Sequence, residues 1–178
     1  MNIRKEFWLL LSAFILPIVL GVLFFYLNPN YFTQNTVNYG KLVEPIITTA
    51  EEDIVFSEKT PGTTQGIWTL VYVTNQCASE CAQTIKDTKT IRILMNDEMR
   101  RIQRMVLTNN DSLTVDDPKV IIAKPSSALS DKLGVFGSNQ LFLIDPIGNV
   151  MLHYQPQGLD IRRVVKDLER LFKYSRIG

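Results

Sequence analysis

Apolar and polar positions divide the chain sharply near its start. From Phe7 to Gly40 there is no charged side chain, and the 21 residues Phe7 to Leu27 are almost wholly apolar, interrupted by Ser12 and Pro17. At about 1.5 Å per residue such a run spans roughly 31 Å as a helix, close to the hydrocarbon thickness of a bilayer. A cleaved secretory leader has a shorter apolar core and ends at a small-residue site. Here the core runs into Phe24-Phe25-Tyr26-Leu27-Asn28-Pro29, with no such pair. The reading is a retained transmembrane helix, with a kink expected at Pro17.

The rest of the chain alternates short apolar runs with helical periodicity. Ile54 to Phe56 reads as a short strand, and Ile67 to Val73 as a strand buried on both faces. Thr74-Asn75-Gln76 breaks it. From Cys77 to about Leu107 apolar residues recur at helical spacing, predicting helix with a break near Asn96-Asp97. In that helix Met95, Met99 and Met105 read as core fillers rather than metal ligands. Val120 to Ala123 reads as a strand and Ser126 to Leu133 as a short helix. Gln140 to Ile144 and Val150 to Tyr154 read as a hairpin around Asp145-Pro146-Ile147-Gly148-Asn149. Asp160 to Phe172 closes the chain as an amphipathic helix. The order β-α-β-α-β-β-α predicts an α/β fold: a thioredoxin-like mixed sheet flanked by helices, preceded by one transmembrane helix.

These elements give four segments: 1–6 as the N-terminus, 7–27 as the membrane span, 28–53 as tether and lead-in, and 54–178 as the domain. Arg4 and Lys5 precede the span, and no basic residue follows it until Lys41. The positive-inside rule then keeps residues 1–6 in the cytoplasm. The expected location is a bacterial inner membrane, single-pass, with the soluble domain in the periplasm. About 140 residues remain after the span, enough for one well-cored domain. A formal net charge of +1 implies no nucleic-acid partner.

Chemistry concentrates in the two cysteines, Cys77 and Cys81, placed where a buried strand gives way to a helix. Ligands and reactions gather at the carboxyl ends of strands in open α/β sheets. A helix N-terminus stabilises a thiolate. Spacing i, i+4 brings both sulfurs to one helical face, within reach of each other or of one metal ion. Two other readings are a structural staple and a pair of buried thiols. A five-residue loop is a poor staple, worth roughly 2 kcal/mol of chain entropy. The single histidine, His153, reads as a strand-face residue. No phosphate loop, Ser/His/Asp order or zinc-type ligand set is present in the sequence.

Gly66 to Val73, the pair Cys77-Ala78-Ser79-Glu80-Cys81, and Leu141 to Asn149 together resemble the Sco (SenC/PrrC) family. The resemblance extends over roughly residues 38 to 173 in order of elements. It implies a membrane-anchored thioredoxin-like factor for cytochrome c oxidase assembly, with an oxidase subunit or another assembly factor as partner. It further implies Cys77 and Cys81 as catalytic thiols or as copper ligands, the family adding a distant His to the metal site. Two positions differ from the family pattern. Ala82 stands where a proline usually follows the second Cys, and the segment Gly134 to Asn139 has Gly137 near the place of the His. The resulting expectation is a thiol redox assembly factor. The alternatives are a copper chaperone with a partner-supplied ligand and a non-catalytic scaffold.

Overall fold

The computed structural model describes residues 3–28, 37–57, 61–77, 79–175 and 177. The tether residues 29–36 lie outside them, as do Lys59 and Thr60 of the sequence Lys59-Thr60-Pro61-Gly62, which reads as a turn after the strand Ile54 to Phe56. The chain divides into two compact units, residues 1–37 and 38–178.

The first unit is helix α1, Ile3–Leu27, which runs through Pro17. Its segment Lys5–Leu27 is long and apolar enough to cross a membrane. None of that segment's window is buried in protein, so its apolar side chains have no core of their own to fill. Such a helix fits a single-pass membrane anchor.

The second unit is a seven-stranded mixed sheet in the order β1-β7-β6-β3-β4-β5-β2. The strands are β1 Lys41–Thr48, β2 Ile54–Phe56, β3 Trp68–Val73, β4 Ile102–Leu107, β5 Val120–Pro125, β6 Gln140–Ile144 and β7 Asn149–Tyr154. Strands β3, β4 and β5 are parallel, whereas β6, β7, β1 and β2 join antiparallel. The helices are α2 Ser79–Leu94, α3 Ser127–Gly134 and α4 Ile161–Tyr174. Ser126 caps α3 by accepting the Leu129 N–H, and Asp160 caps α4 by accepting the Arg163 N–H.

Alternation along the strands sends side chains to two cores. Leu70, Tyr72, Leu141, Leu143 and Leu152 pack with Ile85 and Ile91 of α2 and Val164 and Leu168 of α4. Val71, Met105, Leu107, Phe142 and Ile144 pack on the other face with Leu129 and Leu133 of α3. Strand β3, buried on both faces, is the spine of the domain, as its apolar run predicts.

Three expectations are corrected. Ile102 to Leu107 is not the end of a long helix but strand β4, paired parallel to β3 from Trp68↔Ile102 to Val73↔Leu107. Its apolar residues fall at both helical and strand spacing, and the sheet position prevails. Met95 and Met105 are core residues, but Met99 is 37% exposed on the 3-10 helix Asn96–Arg101. Finally, residues 41–48 of the lead-in form edge strand β1 against β7.

The Asp145 turn has a double function. Asp145 Oδ1 accepts the N–H groups of Ile147 and Asn149, and Oδ2 accepts the Asn149 amide. Gly148 has φ +94°, and a Cβ there would lie 2.5 Å from the Thr49 carbonyl oxygen. Glycine is therefore required. The close approach lets the Gly148 carbonyl accept both the backbone N–H and the hydroxyl of Thr49, pinning the end of β1 to the hairpin.

Candidate functional site

The end of β3 is where the chain leaves the sheet for α2. The Thr74 N–H donates to the Leu107 carbonyl, extending the β3–β4 ladder by one step. Asn75 then turns outward. Its side-chain oxygen accepts the Asn109 N–H, and its carbonyl accepts the Asn110 amide, both from the loop after β4. Gln76 donates its N–H back to the Thr74 hydroxyl. A three-residue loop fixed at this many points delivers Cys77 to one place.

Cys77 and Cys81 are joined as a disulfide with Cα atoms 4.9 Å apart. The structure thus brings together the two residues that the strand–helix junction singled out. They differ in access. Cys81, in the first turn of α2, is 1% exposed and belongs to the core that holds Tyr72 and Ile85. Cys77 lies at the surface. An external thiolate can therefore reach one sulfur of the bond and not the other. The free N–H groups at the start of α2 favour the thiolate that leaves.

In the same core as Cys81, Tyr72 is 2% exposed, and its hydroxyl lies against those of Thr74 and Thr84. Burial pushes this phenol above its ordinary value. At the loop that precedes Cys77, an open cleft of about 530 Å³ is lined by Thr74, Asn75, Gln76, Gly137, Ser138 and Asn139, among others. Gly137 and Asn139 both have positive φ, +97° and +56°. The Asn139 side chain meets the Thr74 hydroxyl at 2.8 Å. In the sequence Thr74 to Gln76 reads only as a strand breaker, and Asn139 only as the end of the segment in which the resembled family carries a His. An Asn just before a strand, a residue type that tolerates left-handed backbone, was the available clue.

His153 is not part of this site. Its ring packs on Phe136 at 4.9 Å and Phe142 at 6.2 Å between centroids. Phe142 belongs to the core on the α3 face, opposite the core that contains Cys81. Among the described residues no group of three His, Cys, Asp or Glu could hold a metal. Burial, and next the positive Lys41 paired opposite it, hold the His153 imidazole below its usual value. The unfolded chain therefore binds the proton more readily, and stability falls as pH drops below about 6.5. We expect the melting temperature to decline between pH 7 and pH 5, a range above the titration of Asp53 and Asp117, whose carboxyls are held low. The decline should be shallower in His153→Phe.

The site and sheet define a thioredoxin-like α/β domain with a surface-accessible disulfide at the carboxyl edge of its central strand. Residues 68–175 match the family described as transmembrane-like, thioredoxin-like, C-terminal domain, and the chain belongs to that family. Solved structures with the same fold include Sco proteins. Apo Sco1 from Thermus thermophilus has a TM-score of 0.56 at 16% identity, covering 77% of this chain and 98% of that one. Yeast Sco1 with copper bound has a TM-score of 0.52 at 14% identity, covering 63% and 82%. BsSco is described as a member of the Sco family of cytochrome c oxidase assembly proteins, in which a disulfide switch was identified. It has a TM-score of 0.51 at 11% identity, covering 80% and 99%. No curated protein matches by sequence.

Proposed function

We propose that this chain is a membrane-anchored thiol–disulfide redox factor serving cytochrome c oxidase maturation, with an oxidase subunit or another assembly factor as its client. The observation that carries this reading is the asymmetry of the disulfide, exposed at Cys77 and buried at Cys81. The shared fold with BsSco and its disulfide switch supports it.

In the forward step a client thiolate attacks the Cys77 sulfur. The Cys77–Cys81 bond breaks, and Cys81 leaves as a thiolate that takes up a proton. A second client thiolate then attacks its own sulfur in the mixed disulfide and releases Cys77. Two electrons pass from the client dithiol to the pair. In the reverse direction Cys77 attacks a client disulfide and Cys81 resolves the mixed bond. Alkylation trapping in intact cells tests the role directly: the pair should be oxidised or cycling. A pair found free under all growth conditions contradicts it.

Arg4 and Lys5 ahead of the apolar span support an orientation with the soluble domain in the periplasm of a bacterial inner membrane. Disulfides persist there. An alkaline phosphatase fusion after residue 39 should be active, and an inactive fusion contradicts this orientation.

Copper handling is the second reading, because a reduced Cys77–Cys81 pair offers two soft thiolates from one turn, suited to Cu(I). The likeness to copper-bound yeast Sco1 is in keeping with it. Among the described residues no His, Asp or Glu joins the two thiols in a group of three, so a partner's ligand would complete the site. The reduced chain should take up Cu(I) in a competition titration and lose it to a modest chelator. Cys77→Ser should abolish uptake, whereas His153→Ala, on the opposite face of the sheet, should leave it unchanged.

A further inference from the structure

The Thr74 hydroxyl sits at the meeting point of two loops. It is 2.7 Å from the Gln76 carbonyl, 3.2 Å from the Gln76 N–H and 2.8 Å from Asn139 Oδ1, and Thr74 is only 2% exposed. A hydroxyl has one proton and cannot serve two acceptors equally. Half a turn of the Asn139 amide places its N–H toward Thr74. The hydroxyl then accepts from Gln76 and Asn139 and donates to the Gln76 carbonyl, while the Tyr72 hydroxyl, also against Thr74, has Thr84 as its other neighbour. Asn139 holds this position with left-handed backbone at φ +56°, next to a strand start fixed by the Val73↔Gln140 pairing of β6 with β3. Gln76 directly precedes Cys77.

We propose that Thr74 and Asn139 are positioning residues for the Cys77–Cys81 couple, forming a strut that braces the cysteine loop against the segment before β6. The strut rests on the redox reading above and gives that site its poise. With the loop braced, the reduced chain keeps Cys77 close to Cys81, and the effective concentration of one thiol at the other stays high. Without the brace the reduced loop explores more conformations, and the disulfide is less favoured.

The test equilibrates the full chain in detergent with mixtures of reduced and oxidised dithiothreitol. Each turnover opens one Cys77–Cys81 bond to two thiols and closes one cyclic dithiothreitol disulfide. Thr74→Val removes the hydroxyl and keeps the shape. Asn139→Gly removes the amide and keeps the positive φ. Each should shift the equilibrium about tenfold toward the reduced pair, or roughly 30 mV for a two-electron couple. The double variant should shift little further, because both changes break one strut. Thr74→Ser, which retains the hydroxyl, should stay within about twofold of the parent chain. Thr90→Val, the loss of an exposed hydroxyl bonded to Lys86 on α2, should have no effect.

Melting temperatures of the oxidised forms separate stability from poise. If Thr74→Val fails to fold, Asn139→Gly decides. Folded variants with the parent equilibrium, even at lower melting temperature, overturn the strut alone. A parent chain that exchanges with dithiothreitol only after denaturation overturns the redox reading and the strut with it.

Discussion

Replacing Arg104 by alanine is expected to destabilise the domain by about 3–5 kcal/mol, the usual cost of stranding one member of a buried ion pair. Arg104 lies in the middle of β4 at 3% side-chain exposure and donates from both terminal nitrogens to Asp117 Oδ2 at 3.0 Å. Burial alone would raise the Asp117 carboxyl. The Lys119 N–H and the Arg104 guanidinium outweigh it and hold the group below the usual carboxylate range. This contribution is present above about pH 3.8 and is lost as pH falls through the folded value. Arg104 Nε is itself buried without a hydrogen-bond partner, so the pair is not a perfect solution. The double change Arg104→Met with Asp117→Leu should therefore lie much closer to the parent than Arg104→Ala. Urea titration of a Trp8→Phe chain in detergent, followed by buried Trp68, measures both. Asp117 belongs to the loop after β4 that also supplies Asn109 and Asn110 to the cysteine loop, so single variants should also change the rate at which Cys77 is attacked.

Asp167→Ala should cost about 2–5 kcal/mol, because a buried and a part-buried N–H group lose a charged acceptor together. Asp167 is 1% exposed on α4 and accepts the Tyr39 N–H at 3.0 Å and the Gly40 N–H at 2.8 Å. The Tyr154 hydroxyl lies at 3.5 Å, and its phenol is raised well above its ordinary value by burial and then by the Asp167 charge. Around this carboxylate the Tyr39 hydroxyl accepts the Asp160 N–H, and the Arg163 guanidinium lies 4.5 Å over the Tyr39 ring. The lead-in to β1 is thereby clamped to the last helix. A Cβ on Gly40 would come within 2.5 Å of the buried Tyr154 ring, so Gly40→Ala should loosen the same clamp from the other side. Hydrogen exchange at residues 39–42 should accelerate in both variants, ahead of global unfolding.

Much of the fold was legible because the spine strand and the closing helix carry unambiguous periodicity. Ile67 to Val73 is apolar except for Thr69, and Val164, Val165, Leu168 and Phe172 fall on one helical stripe. Strand β4 was illegible for a physical reason. Ile102, Met105 and Val106 satisfy the helical period, and the buried charge of Arg104 hides the apolar run of a central parallel strand. Strand β1 was hidden by its irregular register, since Leu42↔Leu152 is followed by Ile47↔Val150 and its burial does not alternate. The disulfide was accessible to sequence reasoning because both cysteines bracket one strand–helix junction. Its bracing was not, because Asn139 and Asn109 arrive from distant loops that only the sheet brings together.

Trapping of mixed disulfides tests the central claim most directly. A reduced Cys81→Ser chain, held in its native membrane and exposed to client disulfides, retains the attacking thiol and lacks the resolving one. It should accumulate mixed disulfides through Cys77 that dithiothreitol releases, whereas the Cys77→Ser chain, with its remaining thiol 1% exposed, should trap none. Equal trapping by both variants, or none by Cys81→Ser in the folded chain, would contradict a disulfide built for exchange at its exposed sulfur.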